Sequence, residues 1–128
     1  MQTKKEEREN MKDNTLEGKT ILYDKGSADN STVTIRTVTA GKTYYLVAVQ
    51  LVTYGTADGG TAYIEIGAAG NRILRTYTPI TATYQTSNTS HAEMAFPHPI
   101  PLAAGQSIRV ISGPAGTTGV GQIVGWEE

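Results

Sequence analysis

The segment 43–54 (TYYLVAVQLVTY) constrains the fold most, because it is apolar on both faces of a strand. Side chains alternate between the two faces of a β-strand, so Tyr45, Val47, Val49 and Leu51 are expected to face the core. The opposite face carries Tyr44, Leu46, Ala48, Gln50, Val52 and Tyr54. That face is too apolar to be left in water, so we expect a second layer or a second subunit to cover it.

The remainder of the chain after Gly18 also shows β patterning, with no helical periodicity. The 14 glycines of the whole chain and its many threonines are typical of short strands joined by turns. Further strands are expected at 19–25, 31–38, 61–67, 72–77, 91–96, 106–112 and 122–127, with a loop at 113–121 and a hairpin joining 61–67 to 72–77. The expected fold is therefore all-β, an eight-stranded jelly-roll sandwich, with a Greek-key sandwich of immunoglobulin type as the alternative. Pro97, Pro99 and Pro101 exclude their segment from a central strand.

Composition changes sharply near Gly18. Residues 1–18 are dense in charge, and two interpretations stay open: a solvated tail, or an arm, extended or partly helical, that lies on a neighbouring protein. The arm interpretation predicts contacts with a surrounding lattice through Lys4, Lys5, Glu6, Glu7, Arg8 and Leu16. Residues 19–128 would then form the jelly-roll domain.

Charge and cysteine content exclude several function classes. The net charge is −1, which gives no electrostatic reason to expect nucleic acid as a partner. The chain has no cysteine, so neither a disulfide framework nor a thiolate metal site can form. No segment resembles a signal peptide or is long enough to cross a bilayer, so we expect synthesis in a cytoplasm and no membrane partner.

Catalytic and metal-binding motifs are weak. The only histidines are His91 and His98, and neither lies in a nucleophile motif. His91 and Glu93 share one face of an expected strand, which is the basis of a hypothesis of a small metal-binding protein or enzyme; an exposed surface pair is the favoured interpretation. We therefore expect no enzymatic activity and no cofactor.

The C-terminal part carries a recognisable pattern. The segment Phe96 to Val110 (FPHPIPLAAGQSIRV) is followed, after a Gly- and Thr-rich stretch, by Gly121 to Glu128 (GQIVGWEE). This layout resembles small jelly-roll structural proteins of tailed phages. It is also similar to C1q and tumour-necrosis-factor-like trimers, in which an extended strand follows a turn like Gly41 to Tyr45 (GKTYY).

The resemblance implies a virion structural protein made in a host cytoplasm. Its expected role is a capsid decoration or cement protein that assembles as a homotrimer, binds the major capsid protein or another virion protein, and stabilises the lattice. The residues expected at subunit contacts are Tyr44, Leu46, Val52, Tyr54 and Trp126. The alternative is a receptor- or glycan-binding domain of a phage fibre or spike, which would bind through loops 55–60, 78–90 and 113–121, with Tyr84 stacking on a sugar ring.

Overall fold

The described part of the chain folds as a two-layered sandwich of eight strands. The computed structural model describes residues 18–57, 59–67, 71–78 and 88–128. The strands are β1 (Leu22–Asp29), β2 (Thr32–Thr37), β3 (Tyr44–Gly55), β4 (Thr61–Ile66), β5 (Arg72–Tyr77), β6 (Asn88–Leu102), β7 (Ser107–Gly113) and β8 (Thr117–Glu127). Within these ranges no helix is long and apolar enough to span a membrane.

The strands form two four-stranded antiparallel sheets. The front sheet has the order β1-β8-β3-β6 and the back sheet the order β2-β7-β4-β5. Adjacent strands within each sheet are distant in sequence except for β4 and β5, so the chain crosses repeatedly between the layers, as in a jelly roll. The expected all-β, eight-stranded sandwich is confirmed, and so is the hairpin of β4 and β5. The prolines of β6 lie on an edge strand, as their missing N–H groups require.

A β-bulge in β3 decides which residues form the core. Against β8 the pairing of β3 shifts register between Leu46 and Ala48, which pair with the consecutive residues Gly125 and Val124, so Val47 is an extra residue. An extra residue reverses the alternation of side chains. Before the bulge Tyr44 and Leu46 point inward, and after it Val49 and Leu51 do. The interpretation that placed Tyr44 and Leu46 on the outer face is wrong, because it assumed unbroken alternation.

Strand β8 presents glycines where it faces the back sheet. A Cβ added at Gly119 would lie 2.8 Å from Cβ of Ala62, and one added at Gly121 would lie 2.5 Å from Cδ1 of Ile64. Real side-chain carbons do not approach so closely, so the two sheets pack together only because these positions lack side chains. The expected loop at 113–121 is wrong over Thr117 to Gly121, which belong to β8.

Larger side chains from both sheets fill the remaining interior. The buried apolar set consists of Ala28, Val38, Tyr44, Leu46, Val49, Leu51, Ala62, Ile64, Leu102, Ile108, Val110 and Ile123. Opposite Gly119 and Gly121 the space between the sheets is filled by side chains of the back sheet, because glycine has no side chain to contribute. The two sheets therefore lie close together along β8, directly behind the outward side of the front sheet.

We expect Gly119→Ala to destabilise the protein by about 1–3 kcal/mol, because the new methyl group would collide with Cβ of Ala62, which cannot rotate away. In a strand, Gly→Ala would otherwise stabilise by about 0.5–1 kcal/mol, so the sign of the change is informative. Urea unfolding followed by tryptophan fluorescence measures it, with the exposed Gln122→Ala as the control. A Gly119→Ala protein as stable as the wild type would contradict the close packing.

Candidate interaction face

The outward side of the front sheet, here called the front face, is built from aligned rows of side chains. Paired residues of antiparallel strands project to the same side, so the strand register defines each row. The four rows, each read from β1 through β8 and β3 to β6, are Tyr23–Val124–Ala48–Ala95, Lys25–Gln122–Gln50–Glu93, Ser27–Val120–Val52–His91 and Asp29–Thr118–Tyr54–Thr89.

The centre of the front face is apolar or neutral. Val120 and Val52 are adjacent and half-buried, and Gln122 and Gln50 form the neighbouring pair. Two shallow grooves, of about 560 Å³ and about 320 Å³, lie on either side of Gln122 and Val124, which line both of them. A continuous surface of this kind, with few charges at its centre, is typical of the core of a protein–protein interface.

Two tyrosines stand exposed at opposite ends of the front face, Tyr23 on the edge strand β1 and Tyr54 on the inner strand β3. Tyr23 is 76% exposed and Tyr54 is 43% exposed. Tyrosine is enriched at interfaces, since its ring buries a large area while its hydroxyl group stays able to form hydrogen bonds. These exposed rings are therefore positioned to contact a second molecule.

The charged and titratable groups of the front face lie mainly on the outer strands. On β6, Nε2 of His91 lies 3.0 Å from Nε2 of Gln50 and 3.8 Å from the Glu93 carboxylate. His91 and Glu93 thus share a face, as the sequence predicted. The described residues contain no group of three or more His, Cys, Asp or Glu side chains placed to hold a metal ion.

Trp126 closes one end of the front face. Its ring stacks on Tyr45 with ring centroids 4.9 Å apart, and Nζ of Lys19 lies 5.7 Å from the indole centroid. Lys19 also forms an ion pair with Glu128. Only 4% of Trp126 is exposed, which leaves the indole little surface for the subunit contact predicted for it.

An arginine clamp ties the front sheet to the back sheet. Arg36 of β2 donates to Oδ2 of Asp24 on β1 at 2.9 Å, and its Nη2 lies 3.0 Å from Oε1 of Glu127 on β8. Its guanidinium carbon also lies 5.2 Å from the centroid of the Tyr44 ring. One side chain thus contacts three strands of the front sheet, which fixes the end of the sandwich near Trp126.

Electrostatics within the clamp favour its charged form. Burial opposes ionisation of Glu127, but hydrogen bonds from Thr39 and from Arg36 outweigh it and hold the pKa of Glu127 below its ordinary value. Burial also opposes the charge on Arg36, yet its hydrogen bonds to Glu127 and Asp24 raise its pKa. Burial raises the pKa of Tyr44, so its hydroxyl group stays protonated beside the clamp. These groups stabilise the fold and are not arranged as an acid–base pair.

The structure separates the predicted subunit contacts into two groups. Tyr44 and Leu46 are fully buried within the chain, so the prediction that they form subunit contacts is wrong, and the bulge at Val47 is the reason. Val52 and Tyr54 lie on the front face, where a subunit contact stays a prediction. The predicted lattice contacts Lys4, Lys5, Glu6, Glu7, Arg8 and Leu16, and the predicted glycan contact Tyr84, lie outside the described residues.

Three further front-face residues, Val120, Gln122 and Val124 of β8, show a pattern in the sequence that was not among the motifs identified. Val120, Gln122 and Val124 alternate with Gly119, Gly121 and Ile123. This alternation has the period of a strand, although its glycines favour the interpretation of a loop. Tyr23 likewise alternates with Leu22 and Asp24 in β1.

Comparisons with known proteins add similarities of shape. No protein-family model matches the chain, and no curated protein matches it. Among solved structures it is similar to a chain of the cyanophage Pam1 capsid asymmetric unit, with 12% identity, a TM-score of 0.49 and coverage of 86% of each chain. It is also similar to a chain from disulfide-linked pili that form Bacillus endospore appendages, with 15% identity, a TM-score of 0.40 and coverage of 88% of this chain and 92% of that one. Similarities at this level leave the function to be inferred from the residues.

We expect Glu127→Gln to lower the free energy of unfolding at pH 7 by about 1–3 kcal/mol, because it removes a charge-assisted hydrogen bond from a carboxylate that is 11% exposed. A depressed pKa stabilises the fold above the unfolded pKa of about 4.3, and that stability is lost as pH falls through the lower folded pKa. The difference between wild type and variant should therefore shrink on acidification below about pH 4.3.

Urea unfolding at a series of pH values measures this difference. Glu93→Gln is the control, because its carboxylate is exposed on the edge strand β6 and should leave stability nearly unchanged. A Glu127→Gln variant whose deficit stays constant down to pH 2 would contradict the assignment of the clamp.

Proposed function

We propose that the protein is a non-enzymatic virion structural protein that associates with copies of itself through its front face. In the finer form of the proposal it forms a homotrimer that decorates a capsid and stabilises its lattice. The observation that carries the proposal is the uncharged centre of the front face, where Val52, Val120, Gln50 and Gln122 lie on the outward side of a sheet. A single sandwich leaves this side in water.

The size of the front face is suitable for such a contact. Four strands at about 4.8 Å spacing and eight residues at about 3.3 Å each give a projected area of about 500 Å². A stable interface buries about 800 Å² of accessible surface on each partner, which includes the relief of side chains above the plane. The exposed side chains of Tyr23 and Tyr54 supply such relief at opposite ends of the face.

The residues that resemble phage jelly-roll proteins support the proposal from the sequence side. Pro101 pairs with Tyr45, and Leu102 pairs with the buried Tyr44. Ile108 and Val110 of β7 enter the core. The pattern is thus realised as strands at the places where the resemblance expects them. This supports the proposal of a structural protein with a jelly-roll fold. The trimer and the decoration role rest on the resemblance alone.

In the same proposal the charged segment 1–17 binds the surrounding capsid lattice. Five acidic and four basic side chains over this stretch suit pairing with a surface that also carries both signs. Each such contact is weak. Because many copies bind one lattice together, the stability that they add to the assembled particle would far exceed that of a single contact.

Val52→Glu tests self-association directly. A carboxylate at the apolar centre of the front face would be desolvated in the interface, so we expect the homo-oligomer to dissociate, with a Kd raised by at least about a hundredfold. Thr32→Glu is the matched control, because it adds the same charge at an exposed position of β2 on the back sheet. Sedimentation velocity over a range of protein concentrations measures the oligomeric state, and circular dichroism confirms that both variants fold.

A monomeric wild type at all concentrations would contradict the proposal. So would a Val52→Glu variant that keeps the oligomer, or equal dissociation of both variants, since neither result assigns the contact to the front face.

A further inference from the structure

The outward side of the back sheet carries an arginine–tyrosine face. The strand register places Arg109, Glu65 and Arg72 in one row. The next row places Ile111, Tyr63 and Arg75 together, and Tyr77 follows opposite Thr61. Three of the five arginines of the chain therefore lie on one face, on the opposite side of the sandwich from the front face.

The tyrosine rings support the guanidinium groups of this face. The guanidinium carbon of Arg72 lies 3.9 Å from the ring centroid of Tyr63. That of Arg75 lies 5.3 Å from Tyr63 and 4.6 Å from Tyr77. A guanidinium group on an aromatic ring keeps its N–H groups available around its edge, and a carboxylate can accept two of them at once.

Charge on this face is unbalanced. Glu65 contacts Arg109 at 3.4 Å and Arg72 at 3.5 Å, so its single carboxylate serves two cations. Arg109 also donates to the carbonyl oxygen of Gly67 at 3.0 Å. Among the described residues no ion pair involves Arg75, whose partners are the rings of Tyr63 and Tyr77. Three cations and one anion give this face a positive excess, although the chain as a whole has a net charge of −1.

We propose that the arginine–tyrosine face binds an acidic polypeptide segment, with Arg75 as its principal anchor. The guanidinium of Arg75 donates two N–H groups to one carboxylate of the segment, and Tyr77, 48% exposed, packs against the aliphatic part of the bound side chain. Strand β5 lies at the edge of the back sheet, so an extended segment has access to this face from the side.

Other ligand classes fit this face less well. Arg72 and Arg75 occupy the rings on which a sugar would stack. Nucleic acid is bound by larger basic surfaces, usually on domains with a pI above about 9 and with several phosphate contacts. The pI of this chain is about 6.1 and the face holds three cations. Carboxylates on a polypeptide suit so few, closely set guanidinium groups.

Binding of a fluorescein-labelled decaglutamate peptide to the full chain tests the proposal by fluorescence anisotropy at low salt. We expect Arg75→Gln to weaken binding about tenfold, the usual effect of losing one charge-assisted pair. Arg75→Lys keeps the charge but loses the bidentate geometry, so its affinity should be intermediate. The control is Lys42→Gln, which removes the same charge at an exposed position outside this face and should change affinity by less than about twofold.

Several results would overturn the proposal: no binding by the wild type, equal weakening by Lys42→Gln and Arg75→Gln, or tighter binding of a labelled decathymidylate than of decaglutamate. An NMR titration of the wild type with the peptide keeps the test valid if Arg75→Gln does not fold. The amide signals of Arg75 and Tyr77 should then shift, and shifts confined to other residues would count against the face. Because the arginine–tyrosine face and the front face lie on opposite sheets, loss of peptide binding is distinguishable from loss of self-association.

Discussion

The bulge at Val47 determines which residues of the front sheet face the core and which face outward. One extra residue in β3 reverses the alternation of side chains, so Tyr44 and Leu46 enter the core from one side of the bulge and Val49 and Leu51 from the other. The outward positions after it are Ala48, Gln50, Val52 and Tyr54. These align with Val124, Gln122 and Val120 of β8, and the front face becomes one continuous surface.

Packing and an ion-pair cluster behind the front face hold the two sheets together. Gly119 and Gly121 let the back sheet approach β8 closely, and Arg36 ties β1 and β8 to β2 through Asp24 and Glu127. Both devices join the two sheets, and neither uses a side chain that points outward from the front sheet. The outward residues take no part in these contacts between the sheets and are available to contact another molecule.

Strand positions were predictable from the sequence, because period-two alternation in β2, β4 and β7 and the turn residues between them are local signals. The prolines excluded a central strand, and β6 does lie at the sheet edge, but it runs through them to Leu102 and beyond the strand predicted at 91–96. The bulge was not predictable, since alternation alone assumes an unbroken period and gives the wrong side for Tyr44 and Leu46. The glycines of β8 favoured a loop, and only the proximity of Ala62 and Ile64 on the opposite sheet explains them. The Arg36 clamp joins residues 12 and 91 positions apart, beyond any local pattern.

In the proposed assembly a second copy of the chain covers the front face. Hydroxyl-radical footprinting of the purified protein, read by mass spectrometry over a range of concentrations, tests it with three exposed tyrosines. Tyr23 and Tyr54 lie on the front face, and Tyr77 lies on the opposite sheet as an internal reference. Oxidation of Tyr23 and Tyr54 should fall as protein concentration rises, because the second copy covers them, while oxidation of Tyr77 should stay constant. Equal oxidation of all three at every concentration would contradict the proposed assembly.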